Sequence, residues 1–231
     1  MQVTDFVSVA RPELLLIQLA NVLPIEALAL IAFEFCGTYS IDPLSGQLQT
    51  NVNQIMTTKS FETYLSQYLN FHSYTKGKKK LQEIVKILAD NAASPSEARL
   101  YIKLCGDRKF GLFGCKNLEM NKSVKISKEA QRIAGQAIIV PDIINEKKKI
   151  AIEYNSSQFH ENFEQGQKDQ RRRDALVYDG WKVHSIVSQH LYDRATFNLL
   201  AKEILSELGQ NYRFRGKHFD ENNKAAFKLL S

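Results

Sequence analysis

The sequence predicts an α/β protein: a mixed central sheet flanked by helices, preceded by an all-helical N-terminal unit. Three features carry this. Nearly unbroken apolar helical stretches fill residues 12–36, β-branched runs split by a charged turn occupy 136–155, and a further strand pattern, Trp181 to Val187, lies between two helical segments. With 231 residues, 44% hydrophobic and 24% charged, the chain can bury a sizeable core and does not have a disordered composition. Eleven glycines, five prolines and no repeating period exclude collagen-like and solenoid architectures.

Pro12 to Val22 and Pro24 to Cys36 read as two helices, each with a proline suited to the first turn. Both are apolar almost all round, so they pack on each other or on a partner. A loop, Gly37 to Gly46, precedes helices near Thr58 to Phe71 and Lys78 to Ala92. The run Lys76-Gly77-Lys78-Lys79-Lys80 between them suits a solvated junction or a nucleic-acid contact. Ser94-Pro95-Ser96-Glu97 has the cap, proline and glutamate of a helix start, and Ala98, Tyr101, Ile102 and Cys105 continue it as an amphipathic helix. Gln136 to Asn145 and Lys149 to Asn155 form a hairpin about the turn Glu146 to Lys149. A polar helix from Glu164 to Tyr178 stops at Asp179-Gly180. The strand Trp181 to Val187 and a helix Ala195 to Leu208, closed by Gly209, complete the order. The divisions expected are a helical domain 1–93, an α/β domain 94–210 and a C-terminal extension 211–231.

Formal charge is +6, unevenly spread. Residues 1–75 hold Arg11 and Lys59 against six acids, a balance of −4, so the remainder carries +10. A basic half of that size suits a polyanion partner or plain solubility. Three cysteines without a CxxC pair point to a reducing compartment. Gln18, Asn21, Pro24, Glu26 and Glu34 interrupt the apolar stretch before it could span a bilayer, and the N-terminus lacks a signal-peptide pattern, so the expectation is a cytoplasmic protein with no membrane partner.

The hairpin makes a chemical prediction. If Asn145 opposes Ile150, Asp142 lies directly across from Glu153, on one sheet face, and strand alternation adds Asn155 to that face. Opposed carboxylates repel unless a cation sits between them or one keeps a proton, as at a divalent-metal site with oxygen ligands. The alternative is that Asp142 only ends a strand while Glu153 points to solvent beside Lys147 or Lys149.

The series Glu97, Val140-Pro141-Asp142, Ile150-Ala151-Ile152-Glu153-Tyr154-Asn155 and His160 resembles the PD-(D/E)XK nuclease superfamily. Within it the chain looks most like the branch of very-short-patch-repair endonucleases and their bacterial relatives. Asp169-Gln170-Arg171-Arg172-Arg173 and Gly180-Trp181 are similar to that branch's arginine-rich helix and Gly-Trp strand start; about residues 94–208 are covered.

The resemblance implies a restriction-endonuclease-like αβββαβ core and metal-dependent hydrolysis of DNA, with genome defence as a setting. Asp142, Glu153 and the backbone carbonyl of Tyr154 would hold Mg²⁺ or Mn²⁺, which polarises a phosphate and acidifies bound water. Glu97 would complete the ligands or orient water, or it is simply a cap. His160 would act as general base, contact phosphate or be structural. Asn155 stands where the superfamily usually has lysine and this branch often has aspartate, and an amide can neither take a proton nor supply charge. That departure leaves open an inactive nuclease fold that binds DNA or a protein. On the helical wheel Lys168, Arg171 and Arg172 share an arc of about 100° that could track a DNA backbone, while Asp169 and Arg173 are spaced as an ion pair. The N-terminal helices would serve a homo-oligomer or a protein partner.

Overall fold

The structure, a computed structural model, describes residues 2–4, 7–72, 74–155, 163–211 and 218–231. The chain divides into two compact units, residues 1–102 with Leu230, and residues 103–229 with Ser231. Among the described residues no helix is long and apolar enough to cross a membrane.

In the first unit β1 (Gln2–Thr4) pairs antiparallel with β2 (Val7–Ser8). Helices α1 (Pro12–Leu19) and α2 (Ile25–Phe35) follow, with Pro12 inside the first turn and Pro24 as the cap of α2. Leu16, Leu28, Ala32 and Phe33 are fully buried, as stripes this apolar require. The unit is not all-helical, which corrects the expectation. Tyr39–Ile41 (β3) and Leu48–Thr50 (β4) form an antiparallel hairpin within the stretch read as a loop. Asp42 makes its turn: Oδ1 accepts from the backbone of Leu44 and Ser45, and Gly46 takes the left-handed conformation that closes it.

Helix α3 (Thr58–Phe71) begins with a reciprocal cap between Thr57 and Ser60, and α4 (Lys78–Ile87) follows the lysine run. One lysine of that run has a structural task. Lys80 Nζ donates to the carbonyls of Leu23, at 2.6 Å, and Ala20, at 3.2 Å, beyond the end of α1.

Helix α5 (Pro95–Cys105) crosses the division between the units. The second unit then contains a 3₁₀ turn at Arg108–Phe110, β5 (Glu119–Met120), β6 (Val124–Lys125), α6 (Lys128–Ala134), β7 (Ile138–Ile139), β8 (Ile143–Asn145) and β9 (Ile150–Asn155). Next come α7 (Phe163–Tyr178), β10 (Lys182–Val187), α8 (Ser188–Tyr192), α9 (Arg194–Glu207) and α10 (Phe219–Leu229). The main sheet has the order β10-β9-β8-β5; β10 runs parallel to β9 and the other neighbours are antiparallel. The stretch 136–145 is two strands, not one. Pro141 has no N–H to give a ladder, so β7 leaves to pair with β6 and β8 begins afresh after Asp142.

Alternation sorts the sheet's two faces. Ile144, Ala151 and Val183 pack with Ala130 of α6, Ala175 and Leu176 of α7, and Trp181. On the other face Lys182 and His184 reach Glu207 of α9, at 3.0 and 2.8 Å, so helices cover both sides.

Helix α10 folds onto this unit. Asn222 and Asn223 of α10 donate to the carbonyls of Lys109 and Gly111, both at 2.8 Å. Gly111 has φ +77°, and a Cβ there would stand 2.1 Å from the Asn223 nitrogen. Lys103, fully buried, donates to the Leu191 carbonyl at 2.7 Å and lies 4.1 Å from the centre of the Phe227 ring.

Candidate active site

The sheet face under α7 is apolar at one end and polar at the other. Beyond Ile144 and Ala151 the same face continues with Asp142, Glu153 and Asn155, while Ser185 of β10 is the register partner of Glu153. Helix α7 matches this change. Its later residues, Ala175 and Leu176, cover the apolar end, and Asp169, Arg172 and Arg173, one to two turns earlier, meet the polar end.

The register is the expected one where the strands pair, with Asn145 opposing Ile150 and Ile143 opposing Ile152; Asp142 lies one residue before β8, and the same register continued leads to Glu153. Asn145 itself sets the turn, its side chain accepting from Lys148 N at 2.8 Å, and Lys149 turns left-handed at φ +50°. Asp142 Oδ2 accepts the Tyr154 N–H at 2.7 Å. That bond carries the Asp142 carboxylate to the peptide joining Glu153 to Tyr154, where it supplies a rung the strand itself no longer provides.

Glu153 is only 8% exposed, which overturns the reading that it points to solvent. Burial pushes its pKa above the ordinary glutamate value, and Asp169 adds to the rise, while Arg172 and Arg173 pull it back. Arg172 Nη2 lies 3.8 Å from Glu153 Oε1 and 3.0 Å from the Val140 carbonyl, and Nη1 is 3.3 Å from Asp169 Oδ1. Asp169 therefore has Arg172 as an ion partner, where spacing pointed to Arg173. Arg173 Nη1 instead reaches the Ser185 hydroxyl at 3.5 Å, and the same hydroxyl accepts from Asn155 Nδ2 at 2.6 Å. The Nε groups of both arginines are buried and have no hydrogen-bond partner among the described residues.

Other expected site residues are placed differently. Glu97 belongs to the first unit, buried and spent on the helix start: it accepts from Ala93 N at 3.0 Å and from the Ser94 hydroxyl at 2.9 Å, while its own N–H donates to Ser94 Oγ. His160 lies outside the described residues. Lys168 and Arg171 are exposed, whereas Arg172, expected beside them, is drawn beneath α7 to Glu153. Sequence reasoning missed Arg173 and Ser185 as site residues, because the parallel register of β10 has no local signal, unlike the tight hairpin.

Asp142 and Glu153 offer oxygen donors of the type a hard divalent cation takes, with the backbone carbonyl of Tyr154 next in the strand. Among the described residues no group of three His, Cys, Asp or Glu side chains is placed to hold a metal. Arg172 is the cation that meets Glu153 in this structure. Comparisons with protein-family models, with curated proteins and with solved structures give no match.

Proposed function

We propose that this chain is a divalent-metal-dependent nuclease that hydrolyses DNA phosphodiesters, with Asp142, Glu153 and the Tyr154 carbonyl as the metal-holding set. The observation that carries the reading is the Asp142 carboxylate bound to the Tyr154 N–H, next to buried Glu153 and the arginines of α7. The order α5, β5, β8, β9, α7, β10, with only the last strand parallel to its neighbour, agrees with the αβββαβ core of PD-(D/E)XK nucleases and supports it further.

When bound, the metal polarises the phosphate and lowers the pKa of a water ligand. The chain's own residues prepare for an anion. Among the described residues the buried Nε–H groups of Arg172 and Arg173 have no acceptor, and exposed Lys168 and Arg171 extend the positive surface along α7, where a phosphate backbone could lie. The Tyr154 N–H holds Asp142 in place, and Ser185 holds Asn155 and Arg173 on the same face.

The test is nicking of supercoiled plasmid in Mg²⁺ or Mn²⁺. Activity lost in Asp142→Asn, a change that keeps an acceptor for Tyr154 N–H, supports the reading; no nicking by wild type, Asn155→Asp or Asn155→Lys refutes catalysis. One observation favours a second reading. Asn155 is tied to Ser185 and has no titratable proton, so the fold would bind DNA without cleaving it. Salt-dependent binding unchanged by Asp142→Asn and by EDTA, with no cleavage, would select that form.

A further inference from the structure

An aromatic ladder runs along α3 in the first unit. The Arg11 guanidinium sits 5.6 Å from the centre of the Tyr64 ring, Tyr64 and Tyr68 are 6.5 Å apart at 22°, and Tyr68 stacks on His72 at 4.0 Å and 11°. His72 is held there by a 2.9 Å contact between Nδ1 and the Tyr68 carbonyl. The helix buries Phe61 and Leu65 in its first half, but its aromatic stripe continues past the end of the core. Phe71 is 86% exposed and Tyr74 is 89% exposed.

Lysines adjoin these rings. From Gln67 to Lys80 there are four lysines and no acid. Lys80 is used on the α1 end, whereas the side-chain ammonium groups of Lys76, Lys78 and Lys79 make no hydrogen bond or ion pair among the described residues. The junction is short and pinned: Thr75 Oγ1 donates to the His72 carbonyl at 3.1 Å, Lys78 N donates to the Thr75 carbonyl at 3.1 Å, and Gly77 turns at φ +82° into α4. Rings and charges are therefore both carried by the one short junction between α3 and α4.

We propose that this surface binds single-stranded nucleic acid, with Phe71 and Tyr74 stacking on unpaired bases and Lys76, Lys78 and Lys79 neutralising the adjoining phosphates. Exposed ring faces beside a phosphate-tracking positive strip are the recurring chemistry of strand binding, and a duplex hides the base faces these rings would meet. A protein partner fits less well, because lysine is depleted from the buried centre of protein interfaces. The inference rests on the first unit alone and does not require the nuclease reading.

The test is fluorescence anisotropy of the full chain, in EDTA, with a labelled oligothymidine of about 16 nucleotides. Unlabelled duplex and anionic phosphatidylserine vesicles serve as competitors. Phe71→Ala and Tyr74→Ala should each weaken binding about tenfold, from the stacking contribution of one base on one ring. Replacing the three lysines by glutamine should lower the slope of log affinity against log salt by about 2. Phe71→Trp should restore binding and show quenched emission on adding the oligonucleotide. The proposal is overturned if the double alanine variant binds like wild type. It is also overturned if duplex or vesicles compete as well as the single strand, or if ring removal changes only self-association measured by light scattering.

Discussion

Removing the Arg172 guanidinium should expose how the buried carboxylate is tolerated. At 3.8 Å from Glu153 Oε1, a full charge pair is worth about 4 kcal/mol at an effective dielectric constant of roughly 20. The Arg172 side chain is 31% exposed and Glu153 only 10%, so solvent screening falls between the surface and buried limits and roughly halves that figure. Arg172 also serves Val140 and Asp169, so a single substitution would mix three losses. The double-mutant cycle Arg172→Ala, Glu153→Gln isolates the coupling, which should be about 2 kcal/mol. Trp181, the chain's one tryptophan, is packed against Ala175 and Leu176 of α7 and reports unfolding of this unit directly. With a urea slope of about 2 kcal/mol per molar, the coupling should move the fluorescence midpoint by about 1 M in metal-free buffer. A coupling below about 0.5 kcal/mol would mean that Arg172 is not the counter-charge of Glu153, and the account of the polar end of the sheet would fail.

Three further outcomes follow from the same unit. Burial pushes Glu207 upward, but hydrogen bonds from His184 and Lys182 outweigh it and hold its pKa below the ordinary glutamate value; its stabilisation is therefore present above that value and lost as pH falls through the folded one. Glu207→Gln should accordingly lower the urea midpoint at pH 7, with the difference from wild type shrinking as titration proceeds into the acid range below the ordinary value; a pH-independent difference would contradict it. Gly111→Ala adds a Cβ at positive φ against the backbone of α10, so it should cost more than about 1 kcal/mol and make residues 218–231 a target in limited proteolysis. Lys103→Ala should cost about 2–5 kcal/mol for the lost volume, whereas Lys103→Met should recover much of it and leave the loss of the Leu191 bond and the Phe227 contact, readable in thermal midpoints.

What could be read beforehand follows from how local each determinant is. The hairpin register came from one charged turn and a constant sum of opposed positions, and that was enough to pair Ile143 to Asn145 with Ile150 to Ile152. The cap at Ser94 and Glu97, helix α7 and strand β10 were legible because propensity and period agree over several residues. Two-residue strands such as β5, β6 and β7 have no period to detect, and Pro141 breaks a run whose composition is uniformly β-branched. The β3–β4 hairpin did leave a signal, Asp42 with Gly46 between short β-forming stretches, which the apolar helices before it overshadowed. A helical wheel gives the angles between Arg171, Arg172 and Arg173 but not which arc meets the sheet; only the tertiary packing of Ala175 and Leu176 decides that. Lys103 was hidden for a different reason, since a lysine in the last turn of an amphipathic helix reads as solvent-facing, and its ring partners lie more than 80 residues away.

The clasp of α10 over Lys103 and Gly111 also bears on how this unit closes and comes apart. Phe227 and Asn223 cover a cation and a glycine turn that lie more than a hundred residues earlier in the chain. Contacts this far apart in sequence close late, because the entropy of the long intervening loop opposes them until the rest of the unit has formed. Detachment of α10 would leave Lys103 without the Phe227 ring and the Gly111 carbonyl without its donor, so this unit opens and shuts together with that helix.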